Sequence, residues 1–258
     1  MRTVTVTRYL TPLREGGSLP AIVEADDEGL YVLKFRGAGQ GRKALIAELV
    51  AGEIARALGL PIPEIVFAQL DPELARTEPD PEIQDLIRAS GGLNLGLDYL
   101  PGAVAFDPLA ERCDAALASS VVWFDALVGN VDRSARNTNL LTWHGRLWLI
   151  DHGATLTFHH AWSDDAERAR RPFERIADHV LLRHASAVPA VDAGLAARLD
   201  EATIAAIVAS IPDDWLDDEP AFADRAAQRR AYVAHFTERL RAPRVFAEEA
   251  ARANAALV

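Results

Sequence analysis

The stretch from residue 119 to 157 constrains this chain most, because an apolar segment, a polar loop and two short apolar segments follow one another there. The first apolar segment is typical of a helix and ends at Gly129-Asn130. The two later segments are joined by His144-Gly145, a dipeptide suited to a tight turn between strands. We therefore predict a helix, a loop and a β-hairpin, with Asp151 directly at the end of the second strand.

This arrangement directs three oxygen-bearing side chains toward one place: Asp132, Asn137 and Asp151. Magnesium prefers carboxylate and amide oxygens, so Asn137 and Asp151 are candidates to hold it against a nucleotide. Asp132 lies on the loop, where it could orient an attacking hydroxyl and accept its proton. A loop Asp, an Asn five residues later and a strand-borne Asp before a Gly form the protein-kinase template. Turn and capping roles are the alternative for clustered Asp and Asn, and the hairpin context favours phosphoryl transfer.

The segment Gly129-Asn130-Val131-Asp132-Arg133, taken with Asn137, resembles the catalytic loop of HipA-like kinases. These kinases are an atypical branch of the protein-kinase-like fold that also resembles phosphoinositide kinases. The His-Arg pair that usually precedes the catalytic Asp is replaced here by Asn130-Val131. The resemblance implies an ATP- and Mg²⁺-dependent kinase, with Asp132 and Asn137 as catalytic residues and Asn137 and Asp151 as metal ligands. Arg133 or Arg136 could neutralise charge on the transferred group, or either could be a surface arginine.

Lys34 lies in the third of three strands that the alternation predicts over residues 3–9, 19–25 and 30–36, an antiparallel meander. On its strand face, Lys34 is either solvated or a point charge that reaches nucleotide phosphates. Sequence periodicity then predicts a helix from about residue 42 to 58.

Glu48 falls on the apolar stripe of this helix, where an unpaired carboxylate would be costly, so we predict an ion pair with Lys34. Glu53 is the alternative partner and lies off the stripe. In HipA-like kinases a helix Glu precedes a short apolar stretch that ends in Gly-Leu-Pro, and Gly59-Leu60-Pro61 stands at that position here.

Two glycine-containing loops are candidates for contact with the nucleotide phosphates, namely Gly16-Gly17-Ser18 and the segment 37–41. The second loop matches neither the dinucleotide fingerprint nor the P-loop, because Arg42 and Lys43-Ala44 occupy the required positions. It is either an anion-binding nest before a helix or a flexible connection. The choice between the two loops stays open.

The segment Asp98-Tyr99-Leu100 ends a predicted strand that runs into Pro101-Gly102. In the kinase-like fold such a strand leads into the hinge, so the resemblance implies that backbone groups near Tyr99 and Leu100 bind the adenine edge.

The expected architecture is α+β, a two-lobed protein-kinase-like fold. We predict a β-rich nucleotide-binding lobe over residues 1–98, a hinge over 99–103 and a helical catalytic lobe over 104–258. Beyond Asp151 we predict helices over roughly 163–185, 192–209 and 221–257.

Composition and segment patterns disfavour several classes of function. The chain has 258 residues and a net charge of −11, which disfavours binding to nucleic-acid backbones. Neither a signal peptide nor an apolar run of membrane-spanning length is evident, so we expect a cytoplasmic protein, and its Ala, Arg and Asp content fits a high-GC bacterial source.

His152, His159 and His160 lack a zinc motif, and we predict surface or capping roles for them.

The sequence therefore predicts a phosphotransferase whose acceptor is a hydroxyl on a protein Ser/Thr or on a small molecule. The alternatives are a non-catalytic nucleotide-binding pseudokinase or interaction module, and an AMP transferase on the same fold.

Overall fold

The computed structural model describes residues 1–13, 19–39, 41–163, 166–216 and 219–257. An N-terminal β-barrel is followed by a mainly helical C-terminal part, which also contains a small three-stranded sheet. The candidate phosphate-contacting residues Gly16, Gly17 and Ser18 lie outside the described residues. None of the described helices has the length and hydrophobicity of a membrane span.

The barrel contains β1 (Thr3–Pro12), β2 (Ala21–Ala25), β3 (Leu30–Lys34), β4 (Ile65–Leu70) and β5 (Gly92–Asp98), in the order β1-β2-β3-β5-β4. The first three strands form the predicted antiparallel meander. The barrel closes because β1 also pairs in parallel with β4, a contact that the local alternation of side chains does not reveal. Closure leaves this sheet without a free edge.

Two helices connect the barrel strands. In α1 (Gly41–Ala57), side chains such as Leu49 and Ile54 are fully buried. They belong to a hydrophobic core that also contains Ile204 and Trp215 from the C-terminal part of the chain. In contrast, α2 (Pro81–Ala89) packs its buried isoleucines into the separate core inside the barrel. The helix that carries Glu48 therefore packs against the C-terminal helices as well as against the barrel.

The predicted hairpin is present as β7 (Leu140–Trp143) and β8 (Arg146–Leu149), and β6 (Val104–Ala105) pairs with β7 to complete a three-stranded sheet. His144 and Gly145 have φ angles of 49° and 70°, the left-handed conformation that a two-residue hairpin turn requires. The amide of Leu149 donates to the carbonyl of Pro61, which attaches β8 to the segment that follows α1.

The C-terminal part contains five α-helices in the described ranges: α3 (Ala115–Val128), α4 (Val188–Ala196), α5 (Glu201–Ala209), α6 (Arg225–Leu240) and α7 (Val245–Ala255). The prediction of a helix over residues 163–185 is wrong. In its place are three short 3₁₀ turns, at Ala166–Arg170, Glu174–Asp178 and Leu182–His184. Pro172 lies between the first two turns, and a proline there removes a helical hydrogen bond and crowds the preceding turn.

Candidate active site

Four elements bring the candidate residues together: β3, α1, the loop after α3, and the residues that follow β8. α3 ends at Gly129, which adopts the left-handed conformation with a φ of 67°. Asp151 also has a positive φ of 56°, an uncommon conformation for a residue with a side chain. Such backbone strain is found at functional sites more often than elsewhere, and here it turns the chain immediately after β8.

Lys34 on β3 contacts two carboxylates. Its Nζ lies 2.7 Å from Asp151 Oδ1 and 3.9 Å from Glu48 Oε2, so its closer partner is the hairpin residue rather than the helix residue. Burial alone would lower the pKa of Lys34, but the negative charges of Glu48 and Asp151 outweigh it and raise the pKa. Lys34 is therefore a protonated cation, only 11% exposed, between a helix and the end of a strand.

Glu48 is buried and connects α1 to the residues that follow Asp151. Its Oε2 accepts the backbone N–H of His152 over 2.9 Å, and its Oε1 lies 3.2 Å from the Nδ1 of the same residue. Burial would raise the pKa of Glu48, and the charge of Lys34 together with the His152 contacts lowers it instead. The alternative residue, Glu53, pairs with Arg56 on its own helix at 3.2 Å.

The prediction of surface or capping roles is wrong for His152 and His159, which are 1% and 0% exposed. The ring of His152 contacts Glu48, and His159 Nδ1 lies 2.9 Å from the hydroxyl of Tyr232. His160 is exposed, as predicted. Among the described residues, no group of three or more His, Cys, Asp or Glu side chains is arranged to hold a metal ion.

Asp132 is oriented by two asparagine side chains. Its Oδ2 accepts the amide N–H groups of Asn137 over 2.9 Å and of Asn139 over 3.1 Å. Its own backbone N–H donates to Asn130 Oδ1 over 3.0 Å. Asn139 is not among the residues that we predicted. The only signal for it in the sequence is its position between the loop and β7, where the structure gives it a positive φ of 46°.

Arg133 is fully buried, which contradicts both predicted roles, surface arginine and neutraliser of the transferred group. Its Nε donates to Asp125 Oδ2 over 2.6 Å, and its Nη1 donates to the carbonyls of Asn139 and Ile150. These carbonyls lie at the start of β7 and directly before Asp151. The side chain that follows Asp132 therefore fixes the loop to both strands of the hairpin. Arg136 is exposed.

Asp125 on α3 accepts from three side chains in this buried cluster. Besides Arg133, Asn130 Nδ2 lies 2.8 Å from Oδ1 and His179 Nε2 lies 2.9 Å from Oδ2. The amide of Leu181 donates to His179 Nδ1, so Nε2 carries the ring proton and donates to Asp125. Burial would raise the pKa of Asp125, and the charge of Arg133 and the hydrogen bonds hold it well below its usual range. The cluster joins α3, the Asp132 loop and the segment around His179.

Two backbone N–H groups at the start of the predicted hinge segment are paired with neighbouring strands. The amide of Asp98 donates to Glu64 O over 2.8 Å, and the amide of Tyr99 donates to Leu30 O over 2.9 Å. Burial raises the pKa of Asp98, with a contribution from the negative charge of Glu64. Leu100 is buried at the end of this segment. Of the two backbone N–H groups at Asp98 and Tyr99, neither is free to bind a base.

The glycine at position 37 has a packing role. A Cβ there would lie 2.9 Å from the backbone of Ala89, and the Gly37 amide donates to Ser90 Oγ over 3.1 Å. At Gly39 and Gly41 a Cβ would meet open space. The start of the 37–41 loop is therefore determined by its contact with the end of α2, and only its later part is unobstructed.

The oxygen donors of the site fit a magnesium ion that takes most of its ligands from phosphate and water. Asp151 has a 38% exposed side chain, and Asn137 is exposed. The Asn137 amide nitrogen points to Asp132, so its carbonyl oxygen is turned away from that carboxylate. A protein carboxylate is a common ligand of nucleotide-bound Mg²⁺, and protein kinases add an asparagine amide.

Comparison with known proteins identifies a family and a fold. A sequence model described as "HipA-like kinase" matches residues 6–248, whereas no curated protein sequence matches the chain. The crystal structure of the proinflammatory kinase CtkA of Helicobacter pylori is 14% identical, covers 98% of this chain and 99% of its own, and superimposes with a TM-score of 0.57. The Golgi casein kinase with Mn/ADP bound is 12% identical over 96% of this chain and 76% of its own, with a TM-score of 0.50. Both similarities concern the fold.

Proposed function

This chain belongs to the HipA-like kinase family, and we propose that it is an ATP- and Mg²⁺-dependent phosphotransferase that acts on a hydroxyl group. One observation carries the proposal. Lys34 Nζ lies 2.7 Å from Asp151 Oδ1 although 117 residues separate them in sequence. In this proposal Lys34 binds phosphate and Asp151 binds the metal, so their contact brings together two roles that the kinase template combines in one site.

The nucleotide lies, in this proposal, between the barrel and the helical part of the chain, with residues 99–103 as the hinge. Lys34 binds the phosphates as a point charge, and Glu48 positions it through the 3.9 Å ion pair. Because the amides of Asp98 and Tyr99 pair with neighbouring strands, the backbone of Leu100 or a later hinge residue contacts the base. The lobe boundaries at residues 98 and 104 are part of the proposal.

Asn137 and Asp151 hold the magnesium ion. These two residues would place a magnesium ion where it would neutralise charge on the nucleotide phosphates. The Golgi casein kinase structure that was solved with Mn/ADP supports the use of a nucleotide and a divalent metal by this fold.

Asp132 receives the acceptor hydroxyl and takes its proton. A carboxylate that accepts two amide N–H groups on Oδ2 keeps Oδ1 directed away from those donors, toward an incoming hydroxyl. Arg133, Asp125 and Asn139 do not contact the reacting atoms in this scheme. They are positioning residues that hold Asp132 relative to Asp151.

The test uses ATP labelled on either its α- or its γ-phosphate, incubated with the protein, Mg²⁺ and a cell lysate. Transfer of the γ-label, absent in Asp132→Asn, supports a kinase. Transfer of the α-label identifies an AMP transferase on the same fold. Tight ATP binding with transfer of neither label identifies a pseudokinase, and the absence of both binding and transfer refutes a nucleotide-dependent function. The acceptor, a protein Ser/Thr or a small molecule, is identified from the labelled species.

A further inference from the structure

A cavity of about 630 Å³ lies on the side of the β7–β8 hairpin where β8 contacts the segment after α1. Three parts of the chain line it: residues 59–62 after α1, residues 106–117 leading into α3, and the hairpin itself. None of the proposed active-site residues, from Lys34 to Asp151, lines it. Its volume is in the range of pockets that enclose small organic ligands.

Much of the lining is apolar. Leu60, Pro61, Phe106, Leu117 and Trp148 supply aliphatic and aromatic surface. Such a lining favours a ligand with a hydrophobic or aromatic body, because burial of apolar area is the main source of affinity for small molecules.

The two acidic residues of the lining accept hydrogen bonds from neighbouring groups of the chain. The carboxylate of Glu111 accepts from the hydroxyl of Thr142 and, over 3.0 Å, from the amide of Asp107. Asp114 caps α3 and accepts the amides of Ala116 and Leu117 over 3.0 and 3.1 Å. Both carboxylates are therefore oriented by groups of the chain itself.

The lining also contains two arginines, Arg112 and Arg146, whose guanidinium groups have no ion-pair or hydrogen-bond partner in the described part of the chain. The remaining ionisable group is the thiol of Cys113, which burial keeps protonated by raising its pKa to about 11. The two guanidinium groups are therefore the charged donors of the lining that have no partner, and they suit a carboxylate, sulfonate or phosphate group.

We propose that this cavity is a second ligand site, which binds an amphipathic organic anion: an aromatic or acyl body against the apolar lining and an acidic group on Arg112 and Arg146. The site does not depend on the proposed phosphotransfer. Its occupant contacts both the segment that follows the Glu48 helix and the strand that precedes Asp151.

The probe for the test is 1-anilinonaphthalene-8-sulfonate, with N-phenyl-1-naphthylamine as an uncharged probe of nearly the same body. Cys113 is the only cysteine of the chain, so its reaction with N-ethylmaleimide reports occupancy of this cavity alone. We expect saturating sulfonate probe to slow the labelling of Cys113 at least fivefold. The uncharged probe should bind at least tenfold more weakly than the sulfonate.

The variant Arg112→Gln/Arg146→Gln should weaken sulfonate binding at least tenfold. The matched control, Arg175→Gln/Arg183→Gln, removes two other exposed arginines and should bind the probe as the wild type does. Both arginines of the cavity are exposed, so the variants should retain the wild-type melting temperature. Labelling of Cys113 that is unaffected by the sulfonate would overturn the proposal, and so would equal sulfonate affinity in the two double variants.

Discussion

Arg133 Nε donates to Asp125 Oδ2 over 2.6 Å, and both side chains are completely excluded from solvent. Removal of one partner from such a pair leaves a buried charge uncompensated. We therefore expect Asp125→Asn to lower the free energy of unfolding by about 3–5 kcal/mol, measured by urea denaturation. The control is Asp85→Asn, which breaks an exposed pair with Arg88 and should cost less than about 1 kcal/mol. Equal effects of the two substitutions would contradict a structural role for the buried pair.

The double variant Asp125→Leu/Arg133→Met replaces both partners, and it distinguishes their effect on stability from their effect on the position of the Asp132 loop. The apolar pair should regain part of the stability that Asp125→Asn loses, because no unpaired charge remains. Phosphotransfer by this double variant should be much slower than in the wild type. Methionine cannot donate to the carbonyls of Asn139 and Ile150, and these bonds fix the Asp132 loop to the hairpin. The measurement is turnover beside the urea midpoint. Recovery of both would show that Arg133 contributes only to stability.

The ion pairs of Lys34 predict its effect on nucleotide binding. We expect Lys34→Ala to weaken ATP binding at least tenfold, because it removes the cation held beside Asp151. Glu48→Gln should weaken it less, since Lys34 keeps its closer partner. Lys43→Ala is the control, because Lys43 lies on the same helix as Glu48 and pairs with Glu219 at 3.0 Å. Calorimetric titration measures all three. Wild-type affinity in a folded Lys34→Ala protein would remove this residue from the site.

Asp151→Asn tests the metal site. Asparagine keeps the size of the side chain and loses the charge that both Lys34 and Mg²⁺ need. Because a ligand that binds only the native state raises the melting temperature, ATP should stabilise the wild type more with Mg²⁺ than with EDTA. The difference should disappear in Asp151→Asn. If the variant keeps the full Mg²⁺-dependent increment, the metal is bound elsewhere.

Asp132→Asn should reduce the rate of transfer and leave ATP binding nearly intact. A general base contributes about 10²–10⁴-fold to rate, and the amide cannot accept the proton. We expect the ATP affinity to stay within a few-fold of the wild type. The rate of transfer, measured in single turnovers, should fall by about 10²–10⁴-fold. Asp178→Asn, at an exposed position on the segment that contacts the loop, is the control. Near-wild-type transfer by Asp132→Asn would reject the catalytic assignment.

Two histidines in apolar surroundings, the fully buried His159 and the half-buried His235, predict how stability depends on pH. Burial lowers the pKa of His159 and of His235 to about 3, against about 6.5 in an unfolded chain. Between these values the unfolded state binds more protons, so stability should fall as the pH decreases from about 6.5 toward 3, by about 1.4 kcal/mol per pH unit for each histidine at most. His159→Gln should reduce this slope, and the exposed-site control His144→Gln should not change it. Urea midpoints measured across this range give the slope.

Short sequence patterns predict the local features of this structure, but they do not predict its long-range contacts. The hairpin turn at His144-Gly145 and the position of Glu48 on an apolar stripe follow from patterns a few residues long. The partners of Arg133 could not be predicted, because hydrophobic periodicity does not specify where a charged side chain points. His179 was missed for the same reason, since it reaches Asp125 from a segment 54 residues away. Barrel closure through β1 and β4 is likewise a property of the folded chain.

The placement of α1 has a consequence for dividing the protein into fragments. Its Leu49 and Ile54 share a core with Ile204 and Trp215, and Arg198 donates to the carbonyl of Leu58 over 2.7 Å. A fragment that ends shortly after the barrel would therefore carry an apolar helix face with nothing to cover it, and the remaining fragment would lack the matching surface. Leu109, which is 90% exposed, marks a suitable place for a break. Cut there, the two fragments should be insoluble when made separately and should reassemble when co-expressed, because each supplies one side of this shared core.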